Sequence, residues 1–312
     1  MKHWPVLCAG ALLATPLAAQ DQPQPATHVV RGIVFDSVAG APLANATVQL
    51  RSRDSATLVF STTTDATGRY RIASLPPGRF LIGFYHDALA ALGLDTPLRT
   101  FEVKTDTSVT VNLAIPPAPV VLASQCGRDS AAARAGMLAG FVRDARGRQS
   151  MAGSKVFAEW RAIAVDTGKV RTVWQHTIAT VGDNGTYLAC GVPVDASLNV
   201  RVLSAGHREV AGPVNVPGTG VARRDFVLAE SAVTTGAATL RGRVVHDNGK
   251  PVKEGRVGIR ALALEVPTHN GEFSLTGLPA GTWLVSVKAI GFQPDSLLID
   301  VADGGGVAQT IT

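Results

Sequence analysis

The sequence predicts an all-β chain built from three tandem sandwich domains. Three observations carry this expectation. Short Val- and Thr-rich runs are punctuated by 32 Gly and 18 Pro, the composition of many short strands joined by tight turns. A two-part signature occurs three times at domain-length intervals. The length of 312 residues holds two or three units at about 100 to 150 residues each. A hydrophobic content of 46% is enough for packed cores, and a charged content of 17% is too low for a disordered polyelectrolyte.

The N-terminus reads as a secretory signal peptide over residues 1–20. Lys2 and His3 precede an apolar run from Val6 to Ala19, and the polar Gln20, Asp21 and Gln22 follow. The run contains Pro16 and is shorter than the about 20 apolar residues of a spanning helix. Cys8 lacks a lipid-attachment motif. The reading places the chain outside the cytoplasm: periplasmic, on the cell surface or extracellular.

The opening half of the signature is a short strand with Gly at its third position and Val at its fifth. It appears as Val30 to Asp36, Leu138 to Asp144 and Leu240 to His246. A turn follows each time, then a second strand holding Val48, Val156 or Val257. The closing half is Gly68-Arg-Tyr70, Gly185-Thr-Tyr187 and Gly271-Glu-Phe273, each with a proline six residues beyond the aromatic, at Pro76, Pro193 and Pro279. Gly supplies the positive φ of a hairpin, the alternation Tyr70, Ile72 and Phe273, Leu275 turns one strand face into a core, and the proline ends that strand. Another strand follows each, at Arg79–Tyr85, Ser197–Val202 and Thr282–Val287, and a terminal strand closes the copy near Val109, Asp225 or Val307. Gly32, Gly140 and Gly242 lie 108 and 102 residues apart, so each copy is a domain, not a solenoid turn. The divisions expected are 28–115, 120–230 and 238–312. Ile115-Pro-Pro-Ala-Pro119 reads as a stiff extended linker and Val233 to Ala238 as a flexible one, which would leave the domains free to reorient.

With these residues in place, the chain resembles the carboxypeptidase-regulatory-like domain, a seven-stranded sandwich of transthyretin-like (prealbumin-like) topology whose relatives include starch-binding-like domains. The resemblance is strong in the first and third copies and weaker in the second, where Val194-Asp195 replaces the Pro-Gly pair. It implies an accessory module with no catalytic site of its own, since in metallocarboxypeptidases this sandwich stands beside the enzyme domain.

The search for chemistry agrees. His269-Asn-Gly-Glu272 matches a zinc string, but it falls on the third copy's hairpin turn, which accounts for Asn270 and Gly271 without a metal. No Gly-x-Ser-x-Gly elbow occurs, and Asp183-Asn184-Gly185 reads as a turn, not a calcium loop. No cofactor is expected. The net charge of +5 is spread out, with no basic tract interleaved with aromatics, so nucleic acid is not an expected partner.

Two features of the second copy stand apart. Cys126 and Cys190 are the cysteines left after the leader, and in an exported chain a bridge is expected over two buried thiols. Its 64-residue separation corresponds to roughly 3 to 5 kcal/mol in the chain-entropy model. Trp160 and Trp174 lie on runs 155–163 and 170–180 that read as a hairpin and could share one face. The residues favour packing over the sandwich, and stacking on a ligand is the alternative. Trp283 reads as core. The functional expectation is an exported, non-enzymatic spacer or interaction module of the cell envelope, acting on an envelope protein or a glycan. Carbohydrate binding through Trp160 and Trp174, or strand addition at an open sheet edge, are the alternatives.

Overall fold

The computed structural model describes residues 28–104, 108–127, 135–166 and 169–312. The signal peptide expected over 1–20 lies outside the described residues. The chain is all-β, with three sandwiches in sequence and one two-layer plan used three times.

In each sandwich the opening strand lies inside one of the two sheets, between an antiparallel and a parallel neighbour. His28–Asp36 pairs antiparallel with Arg69–Leu75 and parallel with Val109–Thr110 and Leu113–Ile115. Gly136–Asp144 pairs likewise with Thr186–Val192, Val221–Arg223 and Phe226–Leu228. Ala238–Val244 pairs with Glu272–Leu278 and with the unbroken Gly306–Ile311. A four-stranded sheet faces each of these. Its alternating residues, such as Val48 and Leu50, Val156 and Ala158, or Val257 and Ile259, are fully buried, as the two-residue period requires.

The signature residues explain this plan. A Cβ on Gly32, Gly140 or Gly242 would come within 1.9, 2.0 or 2.2 Å of the carbonyl oxygen of Val111, Arg224 or Gln309 in the terminal strand. The opening glycine is therefore a close-approach residue, not a turn residue. The hairpin glycines Gly68, Gly185 and Gly271 have φ of +71°, +83° and +81°, the left-handed conformation that only glycine adopts without strain. In the second copy Asp195, which replaces a glycine, also takes a positive φ of 51°.

The hairpin aromatic has a second role. In the first two copies the parallel ladder opens beside the opening glycine without changing register. The Tyr70 hydroxyl donates to the Val111 carbonyl at 2.5 Å, and the Tyr187 hydroxyl to the Arg224 carbonyl at 2.7 Å. The opening strand takes a side-chain acceptor instead: Ile33 N–H donates to Asn112 Oδ1, and Phe141 N–H to Asp225 Oδ1. The carbonyl and the N–H that the ladder gives up at the opening thus each keep a partner. In the third copy the aromatic is Phe273, which has no hydroxyl, and the ladder runs through.

The linkers depart from the expectation of free reorientation. After Pro117, Ala118–Gln125 is a helix, not an extended spacer. Proline's fixed φ suits a helix start, and Val121 and Leu122 are buried in the first apolar cluster together with Met137, Ala139 and Val221 of the second sandwich. The second linker is held by Arg208, whose Nε donates to the Val233 carbonyl and whose Nη1 donates to the Ala261 carbonyl. The segment 86–95 caps the first core through the short helix Asp87–Ala90, with Leu89 and Leu92 buried, and Trp283 is buried in the third core, as Phe80 is at the same strand position of the first copy.

Candidate functional site: a projecting hairpin on jointed sandwiches

Two adjacent arginines of the middle sandwich grip both of its neighbours. Arg223 ends the strand Val221–Arg223, and its Nη2 donates to Asp36 Oδ2 of the first sandwich. The Asp36 side chain is only 3% exposed, and its other oxygen accepts the backbone N–H groups of Val38 and Ala39. Arg224 reaches the opposite way, donating from both terminal nitrogens to the two oxygens of Asp300 at 2.9 Å, the paired geometry that makes Arg–carboxylate contacts strong. Thr282 completes that joint: its hydroxyl donates to Asp300 Oδ1 and accepts the Val227 N–H. Gly212 meets Leu284 and Leu298 with no room for a Cβ. On the other side the disulfide Cys126–Cys190, with Cα atoms 5.7 Å apart, fastens the end of the inter-sandwich helix to the strand Thr186–Val192.

Asp144 stands in the middle copy where Asp36 stands in the first. One oxygen accepts the Arg146 and Gly147 N–H groups, and the other contacts His207 Nε2 at 3.1 Å. Burial pushes its carboxyl up, but the Gly147 amide, His207 and the Arg146 amide outweigh burial and hold it below the ordinary 3.8.

The second copy's enlargement is a long hairpin, Lys155–Asp166 and Lys169–Thr180, paired without a register shift over its whole length. Lys155–Asp166 contacts the next strand, Ala196–Leu203, only through residues 155 to 159. From Trp160 outward the hairpin is a two-stranded ribbon extending past its sheet. Cross-strand partners share a face. Phe157 is opposite Ile178, Arg161 opposite Trp174, Ile163 opposite Thr172 and Val165 opposite Val170. That outward face leaves Ile163 76%, Val165 71%, Val170 71%, Trp174 65% and Ile178 50% exposed. The Arg161 guanidinium lies 5.1 Å from the centre of the Trp174 ring.

The shared face expected for the two tryptophans is not found. Trp160 is opposite Gln175 and Trp174 opposite Arg161, which puts the rings on opposite faces. Trp160 packs half-buried against the second core, while Trp174 faces solvent. The outward apolar stripe around Trp174 escaped the sequence reading, although the alternation Ile163, Val165 and Val170, Trp174, Ile178 carried its signal.

The His269–Glu272 string forms the expected turn: backbone N–H groups of each residue donate to the other's carbonyl, Asn270 has φ of 51°, and Glu272 pairs with Arg243 at 2.8 Å. Among the described residues no three His, Cys, Asp or Glu side chains are grouped to hold a metal, and no helix is long and apolar enough to cross a membrane.

The family model for the carboxypeptidase regulatory-like domain matches residues 29–116 and 239–312, the first and third sandwiches. The middle one, outside those matches, shares their opening glycine, hairpin and parallel terminal strand. No curated protein matches the chain. Solved structures similar to it include the Bacillus anthracis TIE protein, at 11% identity and TM-score 0.26 over 92% of this chain and 50% of that one. This chain thus spans half the length of that protein. BcpA, the major pilin subunit of Bacillus cereus, is 14% identical over 91% of this chain and 98% of its own, at TM-score 0.27. The shaft pilin SpaA from Lactobacillus rhamnosus GG is 11% identical over 66% and 99%, at TM-score 0.25. At these scores no role passes from those proteins to this one.

Proposed function

The chain belongs to the carboxypeptidase regulatory-like domain family, and from that premise we propose that it is an exported, non-enzymatic module of the cell envelope, a jointed spacer that presents its middle hairpin to a partner. The observation that carries this reading is the ribbon beyond residue 159, with an apolar face turned to solvent and an unpaired edge. Scattered exposed apolar side chains need no explanation, whereas a contiguous set marks a contact surface. The joints fix where the surface points, and the disulfide supports an oxidising compartment. A glycan platform would need coplanar exposed rings, which the opposed faces of Trp160 and Trp174 do not provide.

The test is to trim the hairpin. Trp160 and Gln175 are cross-strand partners, so replacing residues 161–174 by Asn-Gly closes a two-residue turn and keeps both the sheet and the Trp160 ring against the core. In producing cells the full chain is expected in the exported fraction with its cysteines oxidised, and cross-linked into a larger complex. The trimmed chain is exported but stays uncross-linked. A cytosolic chain with reduced cysteines, or a trimmed chain that cross-links like the full one, refutes the proposal.

A further inference from the structure

The outermost strands of the three four-stranded facing sheets are unequally protected. Val59–Thr63 and Arg99–Val103 have five residues each, and Leu264–Pro267 has four and ends in proline. Val210–Val216 carries Pro213 and packs against Asp295–Val301 at the joint between the second and third sandwiches. Short length, proline, coverage and charged side chains, lysine above all, are the devices that blunt an edge. Lys169–Thr180 is 12 residues long, free of Pro, Gly and acidic residues and continuous in register, and its two full charges, Lys169 and Arg171, stand together at its outer end.

Resting on the reading of the hairpin as the contact surface, we infer that Lys169–Thr180 pairs antiparallel with the same strand of a second copy of this chain, about a two-fold axis through Trp174. Such an axis stands perpendicular to the sheet and keeps outward side chains on the outward face, so it must pass through a residue. Centred on Trp174, the pairing sets Val170 against the partner's Ile178, Thr172 against the partner's His176, and Trp174 against the partner's Trp174. Every exposed apolar residue on that strand's outward face then meets an apolar one. Centring on Gln175 places Trp174 against the partner's His176, and centring on Val173 places it against the partner's Thr172, which breaks the match. On the other face Lys169 meets the partner's Ala179 and Arg171 the partner's Thr177, so no like charges oppose.

The area sets the size class of the interface. Eleven paired residues at about 3.3 Å each, in a strip about 10 Å wide, cover on the order of 400 Å² per copy. A standard stable interface covers about 800 Å² per partner. An interface below the standard size belongs with weak, transient contacts, so the dimer is a reversible one.

The test is sedimentation equilibrium of the exported chain, disulfide intact, from about 1 to about 100 µM. The wild-type mass is expected to rise twofold across this range. Trp174→Glu and Trp174→Lys each bring like charges together on the axis, so each alone stays monomeric. An equimolar mixture of the two returns to the dimer, a rescue that a folding defect does not produce. A wild-type chain that stays monomeric, a Trp174→Glu chain that dimerises like wild type, or a mixture that stays monomeric while wild type pairs each overturns the inference. A monomeric wild type whose hairpin still cross-links in the envelope removes the second copy as the occupant and leaves the hairpin reading standing; loss of both removes both.

Discussion

Replacing Arg223 by alanine tests whether the joints hold the sandwiches together. Asp36 would keep its two backbone donors but lose the cation at its second oxygen. Removing one member of a buried ion pair costs about 3 to 5 kcal/mol when the survivor is sealed from water. Here the Arg223 side chain is 21% exposed, so water reaches the gap, and two of the carboxylate's hydrogen bonds survive. The loss is then nearer that of one charged hydrogen bond, about 2 kcal/mol. The pair Arg143–Asp87 bridges the same two sandwiches at 3.0 Å, but Asp87 is 69% exposed, which places it under about 1 kcal/mol. Urea denaturation of Arg223→Ala, Asp36→Asn and the double variant isolates the coupling, expected at about 1.5 to 3 kcal/mol. A coupling under about 0.5 kcal/mol, the value of an exposed pair, refutes the view that this contact is a structural joint.

Three further outcomes are expected. Gly140→Ala drives a Cβ to 2.0 Å from the Arg224 carbonyl oxygen, a backbone atom that cannot step aside, and should cost at least about 3 kcal/mol in thermal denaturation; a variant as stable as wild type would remove close approach as the reason for the glycine. Reducing Cys126–Cys190, whose loop spans 64 residues, should lower stability by up to about 4 kcal/mol, read as a drop in the urea midpoint with dithiothreitol. Acid should weaken the chain: the Asp144 carboxyl binds its proton less readily folded than unfolded, so its contribution is complete above about pH 4 and is lost as pH falls below that, and a midpoint unchanged from pH 6 to about pH 3 would contradict it.

The plan of each sandwich was legible because its signature encodes contacts at fixed spacing. Gly32, Gly140 and Gly242 meet a carbonyl, Gly68, Gly185 and Gly271 turn a hairpin, and the prolines end a strand; each is the residue its backbone position demands. The disulfide followed from two cysteines in a chain read as exported. The joints were not legible. Arg223 and Arg224 look like ordinary surface charges, and their partners lie 187 and 76 residues away, a separation with no local pattern. The tryptophan faces failed for a reason of parity. Without the turn, the pairing of 155–163 with 170–180 has no fixed register, and a one-residue slip moves a side chain to the other face. Once Asp166 is opposite Lys169, even-numbered residues pair with odd-numbered ones, and Trp160 and Trp174 must part.

The ladder opening links the signature to the joints. Val111, Arg224 and Gln309 occupy one position in the three copies, each carbonyl lying over its opening glycine. The residues before them are Thr110, Arg223 and Ala308. Only the middle copy, which has a sandwich on either side, places arginine at both positions. Its Arg224 carbonyl is held by the Tyr187 hydroxyl from within the core, and burial pushes that hydroxyl's pKa far above its ordinary value, so it remains a donor at any physiological pH. With the backbone pinned there, the two guanidiniums leave the opening toward Asp36 and Asp300 from a fixed base, and the contacts have only side-chain freedom left to order. The same three-residue stretch that closes the middle core thus aligns the outer two sandwiches, and the hairpin that grows from the middle sheet inherits that alignment.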